Sequence, residues 1–245
     1  MLKQNFKVVK VSPEKSDNRF IVSWNNLSYS VNLFGGLKSL LSKKSDDNQK
    51  LILNNLNGFF QSGQLTALMG PSGSGKSTLF ECLVGLKKTG VRGSIRLNGI
   101  DKVFVGMVPQ FEHFIDNLSV DEIMTFSCRL LGIQNNQQQI IDNVLDDFGL
   151  TLIRNTRVNR CSSGQQKRVS IAIEVLAKPN ILFLDEPTTG LDSQSCLNVI
   201  KIMLKLVKNK GKMLLLIALH VHVHDTLHSK TFAKHLQNIK AWLRV

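Results

Sequence analysis

The sequence predicts an α/β domain built around a largely parallel sheet. Three observations carry that prediction. Short, fully apolar segments alternate with longer stretches of helical periodicity, the pattern of buried strands joined by crossover helices. One apolar run, 65–69 (LTALM), ends in a glycine-rich turn and a helical stretch. Another, 181–184 (ILFL), ends in two acids, Asp185 and Glu186.

The elements follow in order. Residues 1–19 are polar, basic and weakly patterned, and are expected to form a flexible arm. Residues 20–31 (FIVSWNNLSYSV) are expected to form the first strand. Residues 32–50 hold Gly35-Gly36 and a Lys/Ser/Asp/Asn cluster, and are expected to be a long loop. Residues 76–87 form a helix after the strand at 65–69. Strands are predicted at 94–98 and 103–108, separated by a turn at Asn98-Gly99. Helical spacing marks 121–131, 137–148 and 162–177. After the apolar strand 181–184 come a helix at 193–207 and a buried strand at 213–219. No internal repeat is evident.

Composition sets limits. Hydrophobic residues make up 42% of the 245, enough for a sizeable core. The formal net charge is +13, unevenly placed: residues 201–245 carry nine Lys/Arg against one acid, Asp225. A basic end of this kind suits nucleic acid, an anionic membrane face, or simply a solvated helix and tail. None of the cysteines, Cys82, Cys128, Cys161 and Cys196, forms a CxxC pair, and reduced thiols are expected. The apolar run at 213–219 falls well short of the roughly 20 helical residues a bilayer core requires.

The chemistry is concentrated in two segments. Gly70, Pro71, Ser72, Gly73, Ser74, Gly75, Lys76 and Ser77 match G-x-x-x-x-G-K-[ST] in full, between a strand and a helix. Glycines there let backbone N–H groups face phosphate oxygens without a Cβ in the way. The following helix adds the positive end of its dipole, with Thr78 in its first turn. Lys76 is expected to reach the β- and γ-phosphates of ATP, and the Ser77 hydroxyl to ligate Mg2+. Of the two acids, Asp185 is expected beside the magnesium, and Glu186 is placed to polarise an attacking water.

Four further segments narrow the family. Cys161-Ser162-Ser163-Gly164-Gln165 resembles the ABC signature, and Val108-Pro109-Gln110 resembles the Q-loop. Gly190-Leu191-Asp192 looks like the D-loop, and His220 like the switch histidine. Asn155-Thr156-Arg157-Val158, Lys167-Arg168-Val169-Ser170-Ile171-Ala172 and Trp24-Asn25-Asn26-Leu27-Ser28-Tyr29 are similar to the wording of the G subfamily, the White-like half transporters. The resemblance spans about residues 20–220.

It implies an ABC ATPase: a P-loop NTPase with a RecA-like parallel core, an N-terminal antiparallel β region and a helical subdomain at about 112–165. It implies ATP and Mg2+ as cofactors, with Gln110 sensing the metal and His220 holding the γ-phosphate and the water. A second nucleotide-binding domain would sandwich two ATP molecules, each held by one cradle and by the partner's Ser162, Ser163, Gly164 and Gln165, with Asp192 nearby. Hydrolysis would drive export of lipids, sterols or pigment precursors at the cytoplasmic face of a membrane. The transmembrane domain would come from a longer isoform or a partner subunit, and no nucleic acid is expected as partner. A soluble ABC ATPase acting on ribosomes or DNA, and a truncated regulatory fragment, are the alternatives. Tyr29 is a candidate to stack on adenine; Val31 could take that place, and Tyr29 could equally be a buried structural residue.

The sequence also departs from the family pattern. Ser163 replaces the first signature glycine, and a position needing positive φ or close approach would tolerate it poorly. An asymmetric dimer with one poorer site is the resulting expectation. Residues 221–245 match no family wording. His220, His222 and His224 alternate, so a continued strand would put all three on one face, as for Zn2+ or as part of a solvated tail.

Overall fold

A computed structural model of the chain describes residues 8–11, 20–32, 49–99, 103–112, 114–210, 214–220 and 241–244. Two sheets organise these residues. The first has strand order β1-β5-β2-β3, from β1 (Val8–Val11), β2 (Ile21–Asn32), β3 (Gln49–Gln61) and β5 (Val91–Asn98). Its β2 pairs antiparallel with both β3 and β5. The second sheet is wholly parallel, in the order β6-β7-β8-β4-β9. It comprises β4 (Leu65–Gly70), β6 (Val105–Val108), β7 (Ile181–Asp185), β8 (Leu214–His220) and β9 (Ala241–Arg244).

Strands β4 and β7 are apolar on both faces because both faces are covered. On one side, α1 (Lys76–Leu83) and the antiparallel sheet form a core with Trp24, Leu27, Leu53, Phe60, Leu79 and Phe80. The Phe80 ring stacks on Phe183 of β7 at 3.9 Å between centroids. On the other side lie α2 (Val120–Leu130), α3 (Gln137–Asp147), α4 (Ser163–Leu176) and α5 (Ser193–Lys210), around Met124, Ile141, Leu145, Phe148, Val169 and Met203. Burial raises the Cys82 thiol to about 11, so it stays protonated at neutral pH; no disulfide forms among the described residues.

Local chemistry sets the helix starts. Ser119 and Glu122 form a reciprocal capping box at α2, and Ser162 and Gln165 form one at α4. Arg154 binds Asp121 of α2 at 2.6 Å and Asp142 of α3 at 2.7 Å, which ties the helical region together.

Several expectations change. Residues 8–11, inside the expected arm, form β1 and pair parallel with β5. Residues 241–244, inside the expected basic tail, form β9 and pair parallel with β4. The strand β3 begins within the expected loop and runs on to Gln61. Asn98-Gly99 does not close a hairpin: β5 belongs to the antiparallel sheet and β6 to the parallel one. Among the described residues, no helix is long and apolar enough to cross a membrane.

The antiparallel sheet owes its fit to Gly58, which lies opposite Trp24 in the β2–β3 register. A Cβ there would lie 2.5 Å from Trp24 Cζ2, and Trp24 is fully buried. Gly58→Ala is expected to destabilise the fold by about 1–3 kcal/mol through overpacking. Urea or thermal melts measure it, and an unchanged midpoint would show that the indole has room to move.

Candidate functional site

Parallel strands end on the same side of a sheet, and in open α/β folds ligands bind at those carboxyl ends. Here β4 ends at Gly70, β7 at Asp185 and β8 at His220, with β8 lying between the other two. The cradle predicted from sequence occupies the turn between β4 and α1. Gly73 and Gly75 adopt φ of 76° and 93°, which only glycine takes without strain. At Gly75 a Cβ would also lie 2.9 Å from Leu53 Cδ2. No side chain caps α1, so its first N–H groups are left to the turn. The Ser74 hydroxyl is buried in the same turn and has no hydrogen-bond partner.

Lys76 is buried, and its ammonium donates to the carbonyls of Gly70 at 3.0 Å and Pro71 at 2.9 Å. The next residue joins the two halves of the site. Ser77 Oγ donates to Asp185 Oδ2 at 2.8 Å, across 108 residues of sequence. Beside them, Gln110 Nε2 donates to Glu186 Oε2 at 2.8 Å. Thr189 Oγ1 donates to the same oxygen at 3.2 Å. Glu186 itself is left-handed, with φ of 45°. Sequence reading brought Ser77, Gln110, Asp185 and Glu186 together in one site but missed Thr189; the ladder of contacts back to Glu186 is its only signal.

His220 closes β8, and its backbone pairs in register with Gly70. His222 and His224 lie outside the described residues, and no group of three metal-ligating side chains occurs among the described ones.

The segment 161–165 opens α4. Ser162 and Gln165 spend their side chains on each other's backbone: Gln165 N donates to Ser162 Oγ at 3.3 Å and Ser162 N to Gln165 Oε1 at 2.8 Å. The spacing S-x-x-Q carried that box in the sequence. Ser163 is exposed and is the first residue of α4. Its φ is not positive, so the serine carries no backbone strain there, which corrects that ground for a weakened segment. The constrained position is Gly164, where a Cβ would lie 2.6 Å from Ser195 Cβ at the start of α5. Asp192 caps α5, accepting from Gln194 N and Ser195 N at 3.0 Å each. Hydrogen bonds from the Ser195 side chain and backbone, then from Gln194, hold its carboxyl below the usual range.

Tyr29 is 6% exposed in the core of the antiparallel sheet, with Lys87 Nζ 5.3 Å from its ring centroid. Little of the ring is open to solvent. Val31 is half-buried.

With this geometry in place, comparison with known proteins is specific. The ABC transporter family model matches residues 53–189. ABC transporter G family member 4 of Dictyostelium discoideum is 41% identical over 179 residues, covering 65% of this chain and 22% of that protein. G family member 24 of the same organism is 35% identical over 226 residues, covering 84% of this chain and 19% of that protein. The chain thus spans about a fifth of the length of these relatives. A solved chain described as a metal-chelate type ABC transporter in an inward-facing conformation superposes with a TM-score of 0.62 at 24% identity, covering 82% of this chain and 74% of that one; this likeness speaks for the fold. The chain belongs to the ABC transporter family, and the curated relatives it resembles here are G-family members.

Proposed function

We propose that residues 70–78 hold Mg·ATP and that Glu186 polarises the water that attacks its γ-phosphate. The contact that most supports this is Ser77 Oγ on Asp185 Oδ2, which unites the cradle with the acidic strand end. The residues present fit both groups. The unpartnered Ser74 hydroxyl and the glycine turn suit phosphate oxygens, and the oxygen donors of Ser77, Asp185 and Gln110 suit a hard divalent cation. Magnesium, when bound, neutralises phosphate charge. Lys76 exchanges its loop carbonyls for phosphate oxygens. Gln110 orients the Glu186 carboxylate, which accepts a proton from the water. His220, whose backbone at the end of β8 pairs in register with Gly70, holds the γ-phosphate side of the site.

The chain works as one half of a dimer in which Ser162, Ser163, Gly164 and Gln165 of each domain face the partner's ATP. A transmembrane domain on a longer chain or a partner subunit couples the dimer to export of lipid, sterol or pigment-precursor substrates, which puts the chain at the cytoplasmic face of a membrane. The exposed Phe111 and Ile115 beside Gln110, and Phe126 and Leu130 on α2, support contact with such a partner.

Glu186→Gln is expected to lower turnover by about 100-fold or more with ATP affinity unchanged. Unchanged turnover in that variant removes Glu186 as the base. Lys76→Ala is expected to raise the dissociation constant for ATP, read by titration with a fluorescent analogue; equal affinity would count against the cradle. Gly164→Ala is expected to destabilise by about 1–3 kcal/mol and to slow turnover, with Ser195→Gly restoring much of both. Ser163→Gly should leave turnover within about threefold, because glycine relieves no strain at a helical φ.

A further inference from the structure

Two lysines are buried among the described residues, and the site described above uses only one, Lys76. The other is Lys167, on the second turn of α4, 2% exposed. Its ammonium has three protons to donate. Two of them meet the carbonyl of Pro109 at 3.2 Å and that of Gln110 at 2.9 Å, and the ammonium forms an ion pair with the carboxylate of Glu112. All three acceptors belong to the segment that follows β6 and carries Gln110.

Burying an ammonium is costly, and a residue that only filled space here would be served as well by methionine. What the charge adds is direction. It fixes the backbone of 109–112 to α4, the helix that Ser162, Ser163, Gly164 and Gln165 open. From there the contacts continue, since Gln110 Nε2 holds Glu186 Oε2 at 2.8 Å.

We propose that Lys167 is a positioning residue for hydrolysis: it couples the N-terminal turn of α4, through the backbone of Gln110, to the orientation of Glu186. Engagement of that turn by a partner's nucleotide then reaches the acid of the chain's own site through this ammonium. The proposal rests on the roles given above to Gln110 and Glu186.

The test is steady-state ATP hydrolysis by the whole chain carrying Lys167→Met together with Glu112→Gln. Replacing both partners leaves no lone charge buried. The expected result is a kcat lower by about tenfold or more, with KM and the dissociation constant for Mg·ATP within about twofold. Lys167→Gln, which keeps a donor toward the carbonyls, should retain more turnover than the Met variant, and it serves in the same assay if the double variant does not fold. A kcat within twofold of the parent chain overturns the proposal. So does a parallel loss of kcat, nucleotide affinity and melting temperature, which marks a purely structural role. Glu186→Gln separates the two readings. Loss of turnover there, with full turnover in the charge-pair variant, removes the coupling alone; full turnover in Glu186→Gln removes the assignment of the base.

Discussion

The placement of β8 between β4 and β7 is the constraint on which the site depends. Because all three strands are parallel, their carboxyl ends emerge on one edge. Register then fixes what meets there: Gly70 lies opposite His220, and Asp185 opposite Ala218. A slip of one residue would turn every strand side chain to the opposite face. Polarity does not forbid that in β4 and β7, whose two faces are both covered; the fit of their side chains into two different cores does, α1 and the antiparallel sheet on one side and α2–α5 on the other. Packing in the core therefore sets, at a distance, the 2.8 Å contact between Ser77 and Asp185.

Loops at a sheet edge are ordinarily the most mobile part of an α/β domain. In this chain two of them are held by buried cations from the adjoining helices. Lys76 of α1 grips the carbonyls of residues 70 and 71, and Lys167 of α4 grips those of 109 and 110. Each ammonium offsets its desolvation with fixed backbone dipoles, and Lys167 also with Glu112. The two differ in what surrounds them. Lys76 lies within its own eight-residue motif. Lys167 reaches 57 residues back to Gln110.

That difference explains what could be read from the sequence. The cradle, β4, β7 and the five helices were legible because each is local: continuous apolar runs, helical spacing, or glycines at fixed offsets. Strand β3 was not, because Asn54, Asn55 and Gly58 interrupt its alternation, and register shifts in its pairing with β2 break the period of two. The turn at Asn98-Gly99 signals a hairpin only when the next strand is the neighbour, and the neighbour of β5 is β2. Ser163, in the segment that resembles the signature, looked like a defect in sequence. In the fold, Cys161 is buried and the serine takes a helical φ, while the tight approach falls on Gly164 and Ser195.

The acid at the end of β7 marks where local reading stops. Glu186 takes a left-handed φ of 45°, a conformation that costs a non-glycine residue of order 1 kcal/mol. Its own neighbours supply part of the restraint: Thr189 N donates to the Glu186 carbonyl, and Thr189 Oγ1 to its carboxylate. The rest comes from Gln110, on the segment after β6, whose backbone is fixed from α4. The proposed phosphate cradle is thus encoded in one turn, whereas the geometry of Glu186 is set jointly by β7, the segment after β6 and α4. A motif search finds the first because it is contiguous. The second exists only once the sheet has brought those three elements together, and it makes the orientation of Glu186 sensitive to any movement of α4.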